Sequence, residues 1–147
     1  MTNTAQDTIN QKQDAIIASF KMLSGDRAMM IEHLMEFGSQ LPHLAPCHKI
    51  DANLVPGCLS SVWLIDKEED GYLFFQADSD AMVTKGLIAL LIQILSGQPV
   101  KAISQANLYF IDQLNMVDLI SFQRSNGLAS MIHTIKRKAL HRASLME

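Results

Sequence analysis

The sequence predicts an α+β fold: a small antiparallel β-sheet, a hairpin with a third strand allowed, packed against several α-helices. Three observations carry that expectation. Two short apolar runs flank a Glu68-Glu69-Asp70-Gly71 turn near the middle of the chain. Segments with helical apolar spacing lie on both sides of that hairpin. The 147 residues, 48% hydrophobic, are enough to bury a core without a disulfide framework or a metal. One domain over residues 1–147 is therefore expected, frayed over residues 1–8.

The elements follow in order. Ile9, Ile16, Ile17, Phe20 and Leu23 fall on one helical stripe. Asp26 is placed to cap a second helix carrying Met30, Leu34 and Phe37, with Gly38 and Pro42 expected to stop it. Leu41 to Gly57 holds three prolines, two histidines and Cys47 without periodicity, and reads as a loop. Ser61–Ile65 is apolar on both faces and is expected to be covered on both; Tyr72–Ala77 is its partner strand. A helix is expected from about Ser79 to Ser96, apolar around most of its axis and so central, ended by Gly97 and Pro99. Short helical pieces should occupy Lys101–Leu119. The last helix, from about Ser125, repeats Leu128, Met131, Ile132, Ile135 and Ala139 toward the core.

Composition narrows the function classes. Charged residues make up 18%, too few for a disordered polyelectrolyte. Residues 1–123 carry 7 Lys/Arg against 14 Asp/Glu, and residues 124–147 carry 5 against 1. That basic end suits the last turns of a helix, where Lys136, Arg137, Lys138 and Arg142 complement the macrodipole. No aromatic interleaves with them as a base-stacking surface requires, so nucleic acid is not the expected partner. The start of the chain lacks the basic and apolar runs of a signal peptide. The longest apolar stretch, Gly86–Leu95, spans about ten residues where a bilayer takes about 20. No membrane and a cytoplasmic location are the expectations, and two reduced cysteines fit them.

Cys47 and Cys58 are then the residues to separate. A two-residue turn at Asp70-Gly71 sets Ser61 opposite Asp80, with Cys58 projecting past it toward Val83; a four-residue turn sets Leu59 opposite Asp80. Either register brings Cys58 to the same hairpin end as Asp78-Ser79-Asp80, where the central helix is expected to start. A helix N-terminus lowers a thiol pKa and two carboxylates raise it, so the net sign is open. Pro56-Gly57 is a stiff bend followed by a permissive joint, which places Cys58 on a loop tip feeding a strand. Such a thiol is a candidate for chemistry, whereas a packing cysteine belongs inside a periodic apolar segment.

The run Leu54-Val55-Pro56-Gly57-Cys58-Leu59-Ser60-Ser61-Val62-Trp63-Leu64 resembles the cysteine loop of the SufE family. The resemblance extends to Phe37-Gly38-Ser39-Gln40-Leu41-Pro42, to Ala77-Asp78-Ser79-Asp80-Ala81 with Lys85-Gly86-Leu87, and to Arg124-Ser125-Asn126-Gly127-Leu128, in order over residues 25–140. It implies a sulfur carrier for iron–sulfur cluster assembly rather than an enzyme. Cys58 would take persulfide sulfur from a cysteine desulfurase, a pyridoxal-phosphate enzyme, stimulate that enzyme and pass the sulfur to a cluster scaffold. It further implies a resting cysteine tucked into an apolar pocket and no cofactor beyond the transient Cys58 persulfide. Gly57, Ser60, Asp80 and Arg124 are the implied supports of the loop or of partner contact. Asp80 has a plainer role as charge in a helix's first turn, and Arg124 is placed to pair with Asp78 or Asp80. Leu59 departs from the polar residue, often glutamine, that follows the family cysteine. Cys47 is an extra thiol.

Two other classes compete. His43, Cys47, His48 and Cys58 match zinc in number and type of ligand, but lack the tight paired spacing of structural sites. A cysteine hydrolase needs a histidine base oriented by a third group, and no local pattern ties His43, His48 or His133 to Cys58.

Overall fold

The structure, a computed structural model, describes residues 4–146. Helix α1 (Ala5–Lys21) begins under a capping box: Thr4 Oγ1 accepts from the Asp7 N–H, and the Thr4 N–H donates to the Asp7 carboxylate. That cap makes the chain helical from Ala5, inside the span expected to fray; residues 1–3 lie outside the described residues. Asp26 caps α2 (Arg27–Ser39) by accepting from the Met29 N–H.

The sheet is built on a tight hairpin. Strands β1 (Val62–Glu69) and β2 (Tyr72–Ser79) pair antiparallel from Glu69 opposite Tyr72 to Val62 opposite Ser79. Asp70 and Gly71 both take positive φ, at 53° and 87°, the backbone a primed two-residue turn needs. This selects the register with Ser61 opposite Asp80. Val62, Leu64, Leu73, Phe75 and Ala77 are buried on the inner face, while Trp63 and Ile65 on the other are only half-covered, so β1 is not enclosed on both sides. After α3 (Met82–Leu95), a short β3 (Gln98–Pro99) pairs with Tyr72 and Leu73, giving the order β1-β2-β3 and the third strand.

Helix α3 starts three residues later than expected, because Asp78 and Ser79 complete β2 and Ala81 is the N-cap. Its residues Leu87, Ile88, Leu90, Leu91, Ile94 and Leu95 are buried, as befits a central helix. Gly38 does not stop α2 but lies inside it, against α3. A Cβ on Gly38 would fall 2.8 Å from the Gly86 nitrogen, and one on Gly86 only 2.3 Å from the Leu34 carbonyl oxygen. The two backbones touch because neither position has a side chain.

Three short helices follow, α4 (Val100–Gln105), α5 (Phe110–Gln113) and α6 (Met116–Ile120). The last, α7 (Phe122–Leu145), starts three residues before the expected position under a Ser121 cap, and buries Leu128, Met131, Ile135 and Ala139. Its basic residues do more than complement a dipole. Lys138 Nζ and the Arg142 guanidinium each bond the Asp66 carboxylate of β1 at 3.1 Å, tying helix to sheet. Lys136 donates to the Ala106 carbonyl.

Candidate functional site

The chain around Cys58 is pinned at both ends. Before it, Leu54 bridges Trp63 and the Val55 N–H donates to the Val62 carbonyl at 2.8 Å. After it, the Ser61 N–H donates to Asp80 Oδ1 at 3.0 Å, and Ser79 Oγ donates to the Ser61 carbonyl at 2.8 Å. Between these pins Pro56–Ser60 forms a tip lying on α7. Gly57 takes φ +82°, which favours glycine, and a Cβ there would stand 2.6 Å from Ser130 Oγ, so that hydroxyl would have to rotate away.

The thiol points at α7 rather than toward Val83. Cys58 Sγ–H donates to the Gly127 carbonyl at 3.6 Å, and a Cβ on Gly127 would lie 3.4 Å from the sulfur. Gly127 is thus the flat seat on which the half-buried sulfur rests. The seat opens into a depression of about 320 Å³. Thr84, Ser121, Gln123, Arg124 and Met131 share its lining with Ser60, which makes it a mixed cleft and not the apolar pocket expected. Ser121 holds φ +94° with ψ 159°, a strained backbone for serine, at the start of α7 and the edge of this cleft. Leu59 is 80% exposed and points away from the core.

Electrostatics around the sulfur settle the open sign. Burial pushes the Cys58 thiol above its ordinary pKa. The carboxylates are engaged elsewhere. Asp80 precedes α3 and binds the Ser61 amide, so it is a loop tie and not first-turn charge. Asp78 is buried and bonds Lys49 at 2.8 Å, Lys85 at 3.3 Å and the Ser79 N–H at 2.8 Å. Burial pushes the Asp78 carboxyl up, but these hydrogen bonds outweigh it and hold the group below its usual value. Arg124 pairs with neither Asp78 nor Asp80; it is exposed and lines the cleft. Lys49, Thr84, Ser121 and Gln123 are the site residues the sequence reading missed, since none lies in a local pattern with Cys58.

A thiol held protonated by burial should react slowly at rest. With Cys47 replaced by serine, iodoacetamide labelling of Cys58 is expected to be slow near neutrality and still rising above the pH where a free thiol saturates. A rate that levels off at or below the ordinary thiol range would contradict the burial effect.

The rival arrangements do not assemble. Among the described residues no group of three or more His, Cys, Asp or Glu is gathered for a metal. His43, Cys47, His48 and Cys58 therefore do not form the four-ligand set. The hydrogen bond of Cys58 goes to a carbonyl, and among the described residues no imidazole bonds the sulfur as a hydrolase base must. His133 is exposed on α7 beside Pro56 and Gly57. Cys47 is exposed in the 3-10 turn Pro46–His48.

Comparisons with known proteins converge. The family profile described as "SufE: Fe-S metabolism associated domain" matches residues 14–139. A SufE-like protein of Rhizobium etli is 35% identical over 136 residues, covering 89% of this chain and 91% of its own. SufE-like protein 1 of Arabidopsis thaliana, chloroplastic/mitochondrial, is 37% identical over 133 residues; these are 88% of this chain but 35% of that longer one. A SufE-like protein of Synechocystis sp. is 36% identical over 109 residues, 74% of this chain and 69% of its own. The solution structure of a hypothetical protein from Thermus thermophilus is similar in fold, with TM-score 0.73 at 18% identity over 92% of this chain and 97% of that one.

Proposed function

The chain belongs to the SufE family, with a role in iron–sulfur metabolism, and from that premise we propose that it carries sulfur as a persulfide on Cys58. The donor in this reading is a cysteine desulfurase, whose turnover the carrier stimulates, and the recipient is an iron–sulfur cluster scaffold. The observation that supports it best is the placing of Cys58: a half-buried thiol on a short tip, jointed at Gly57 and pinned at its base.

The step is an exchange. The Cys58 thiolate attacks the terminal sulfur of the donor's persulfide. The donor's sulfur–sulfur bond breaks, a new one forms on Cys58, and the donor cysteine leaves as a thiolate that takes up a proton. One sulfur moves and no net oxidation occurs. The carbon–sulfur bond of cysteine is broken on the pyridoxal-phosphate partner, so this chemistry asks neither that cofactor nor a metal of the carrier. Clearing the donor's cysteine frees it for another turnover, which is how acceptance becomes stimulation.

Geometry gives each neighbour a task. At rest, burial keeps Cys58 a thiol and so protects it from oxidants. Turned outward about Gly57, the sulfur loses that burial and ionises more readily. Asp80 holds the base of the tip through the Ser61 amide, and Ser60 lines the cleft the sulfur leaves. Arg124 lines the same cleft, and in this reading its cation meets the donor and steadies the anionic sulfur once Cys58 has turned outward. Residues 1–147 act in this reading as one domain, in the cytoplasm. No helix among the described residues is long and apolar enough to cross a membrane.

The test is a desulfurase assay following alanine released from cysteine, with this chain added. Wild type is expected to raise turnover several-fold. Arg124→Ala should cut the stimulation by about three- to tenfold, the scale of losing one partly exposed interfacial charge. No stimulation by wild type contradicts the carrier reading. An unchanged Arg124→Ala removes the role given to that side chain.

A further inference from the structure

Between Leu44 and Val55, both buried, no residue of the chain is buried. This segment carries the 3-10 turns Pro46–His48 and Asp51–Asn53 and is compact through its own bonds. The Lys49 N–H donates to the Pro46 carbonyl at 3.0 Å, the Leu54 N–H to Asp51 at 3.1 Å, and Asn53 Nδ2 to His48 at 2.9 Å. None of these bonds attaches it to the rest of the protein, and with no apolar side chain buried it lacks a hydrophobic anchor of its own. Asp51–Asn53 lies against β1 and Ala52–Leu54 faces α7 across a shallow cleft, and Lys49 adds the segment's one ion pair to the body of the protein among the described residues. Its ammonium bonds buried Asp78 at the end of β2 at 2.8 Å and lies 5.6 Å from the Trp63 ring centroid on β1. Lys85 of α3 bonds the same carboxylate from the other side, fixing where Asp78 points.

We propose that Lys49, seated on Asp78 and Trp63, is a positioning residue that confines the movement of the Cys58 tip to Pro56–Ser60. The proposal rests on the reading that Cys58 turns outward to react. The pin before the tip is a single Leu54–Trp63 bridge with its Val55–Val62 bond, continuous with the segment Lys49 holds. With Lys49 in place the tip is fastened at both ends, and Cys58 stands three residues from each. Three extended residues span roughly 10 Å, so the sulfur swings on a short arc fixed by two anchors. Without Lys49 the bridge frays with its segment. The tip then keeps Ser61 and the burial of Val55 but loses the steadied segment before it, and the sulfur leaves its seat on Gly127 more often and in more directions.

The test uses the full chain carrying Cys47→Ser, so that labelling reports on Cys58 alone. Iodoacetamide labelling and amide hydrogen exchange are compared for Lys49, Lys49→Met and Lys49→Arg. Lys49→Met is expected to speed labelling about three- to tenfold and to speed exchange over residues 45–55, with α3 and α7 amides unchanged. Lys49→Arg keeps the cation and should restore both. Unchanged labelling overturns the proposal, even where residues 45–55 exchange faster. Equal acceleration of the α3 and α7 amides also overturns it, because Lys49 then serves global stability. No desulfurase takes part, so failure here leaves the carrier reading standing, and failure of the carrier reading shows in the alanine assay instead.

Discussion

Cys58→Ser is expected to accept no sulfur from a desulfurase and to leave the enzyme at its unassisted turnover, while folding as wild type does. A serine oxygen cannot take sulfane sulfur from a persulfide, so the loss is complete and not graded. Nothing else in the cleft substitutes, because Cys47 lies on the Pro46–His48 turn and does not line it. The fold should tolerate the change. Cys58 is half-buried, its one hydrogen bond is a long sulfur contact of 3.6 Å, and serine keeps a donor for the Gly127 carbonyl. Its effect on stability should stay within about 1 kcal/mol, as for most substitutions that open no deep cavity. Sulfur loading and thermal unfolding measured side by side check both halves. Stimulation by Cys58→Ser equal to wild type would place the chemistry on another residue.

Gly86→Ala should have the largest effect on the fold. The added carbon would sit 2.3 Å from the Leu34 carbonyl oxygen and 2.9 Å from its carbon, and those are backbone atoms inside α2. They cannot rotate away, so α2 and α3 must move apart and loosen the packing of Leu34 and Leu87, both buried. Overpacking costs about 1–3 kcal/mol, and more where the blocking atoms are backbone as here, which outweighs the ~1 kcal/mol that alanine gains over glycine in a helix. The melting temperature should fall by roughly 5–15 °C for a chain of this size. A Gly86→Ala protein that melts within a degree of wild type would mean the two helices are not in backbone contact.

Much of this architecture is legible in one dimension because it is local. The stripe of α7 and the apolar circumference of α3 are periodicities, and they place both helices in the core. The hairpin is also legible, but its register is not. Glu68-Glu69-Asp70-Gly71 permits two turn lengths whose registers differ by two residues and bury the same faces, so alternation cannot choose between them; the positive φ of Asp70 and Gly71 does. Cys58 stands out through Pro56-Gly57 and the family resemblance. Its seat does not, because Gly127 lies 69 residues further along the chain. The same holds for Asp78, whose carboxylate turns from the thiol toward Lys49 and Lys85. Gly86 left a readable mark, a glycine in the middle of an otherwise bulky apolar helix, where close approach is the usual reason.

Mass analysis of the chain after incubation with a desulfurase and cysteine reads sulfur acceptance itself. One added sulfur atom per chain is expected, removable by a thiol reductant and mapped by peptide analysis to Cys58. Sulfur mapped to Cys47, or none at all while the desulfurase is active and stimulated, would contradict it.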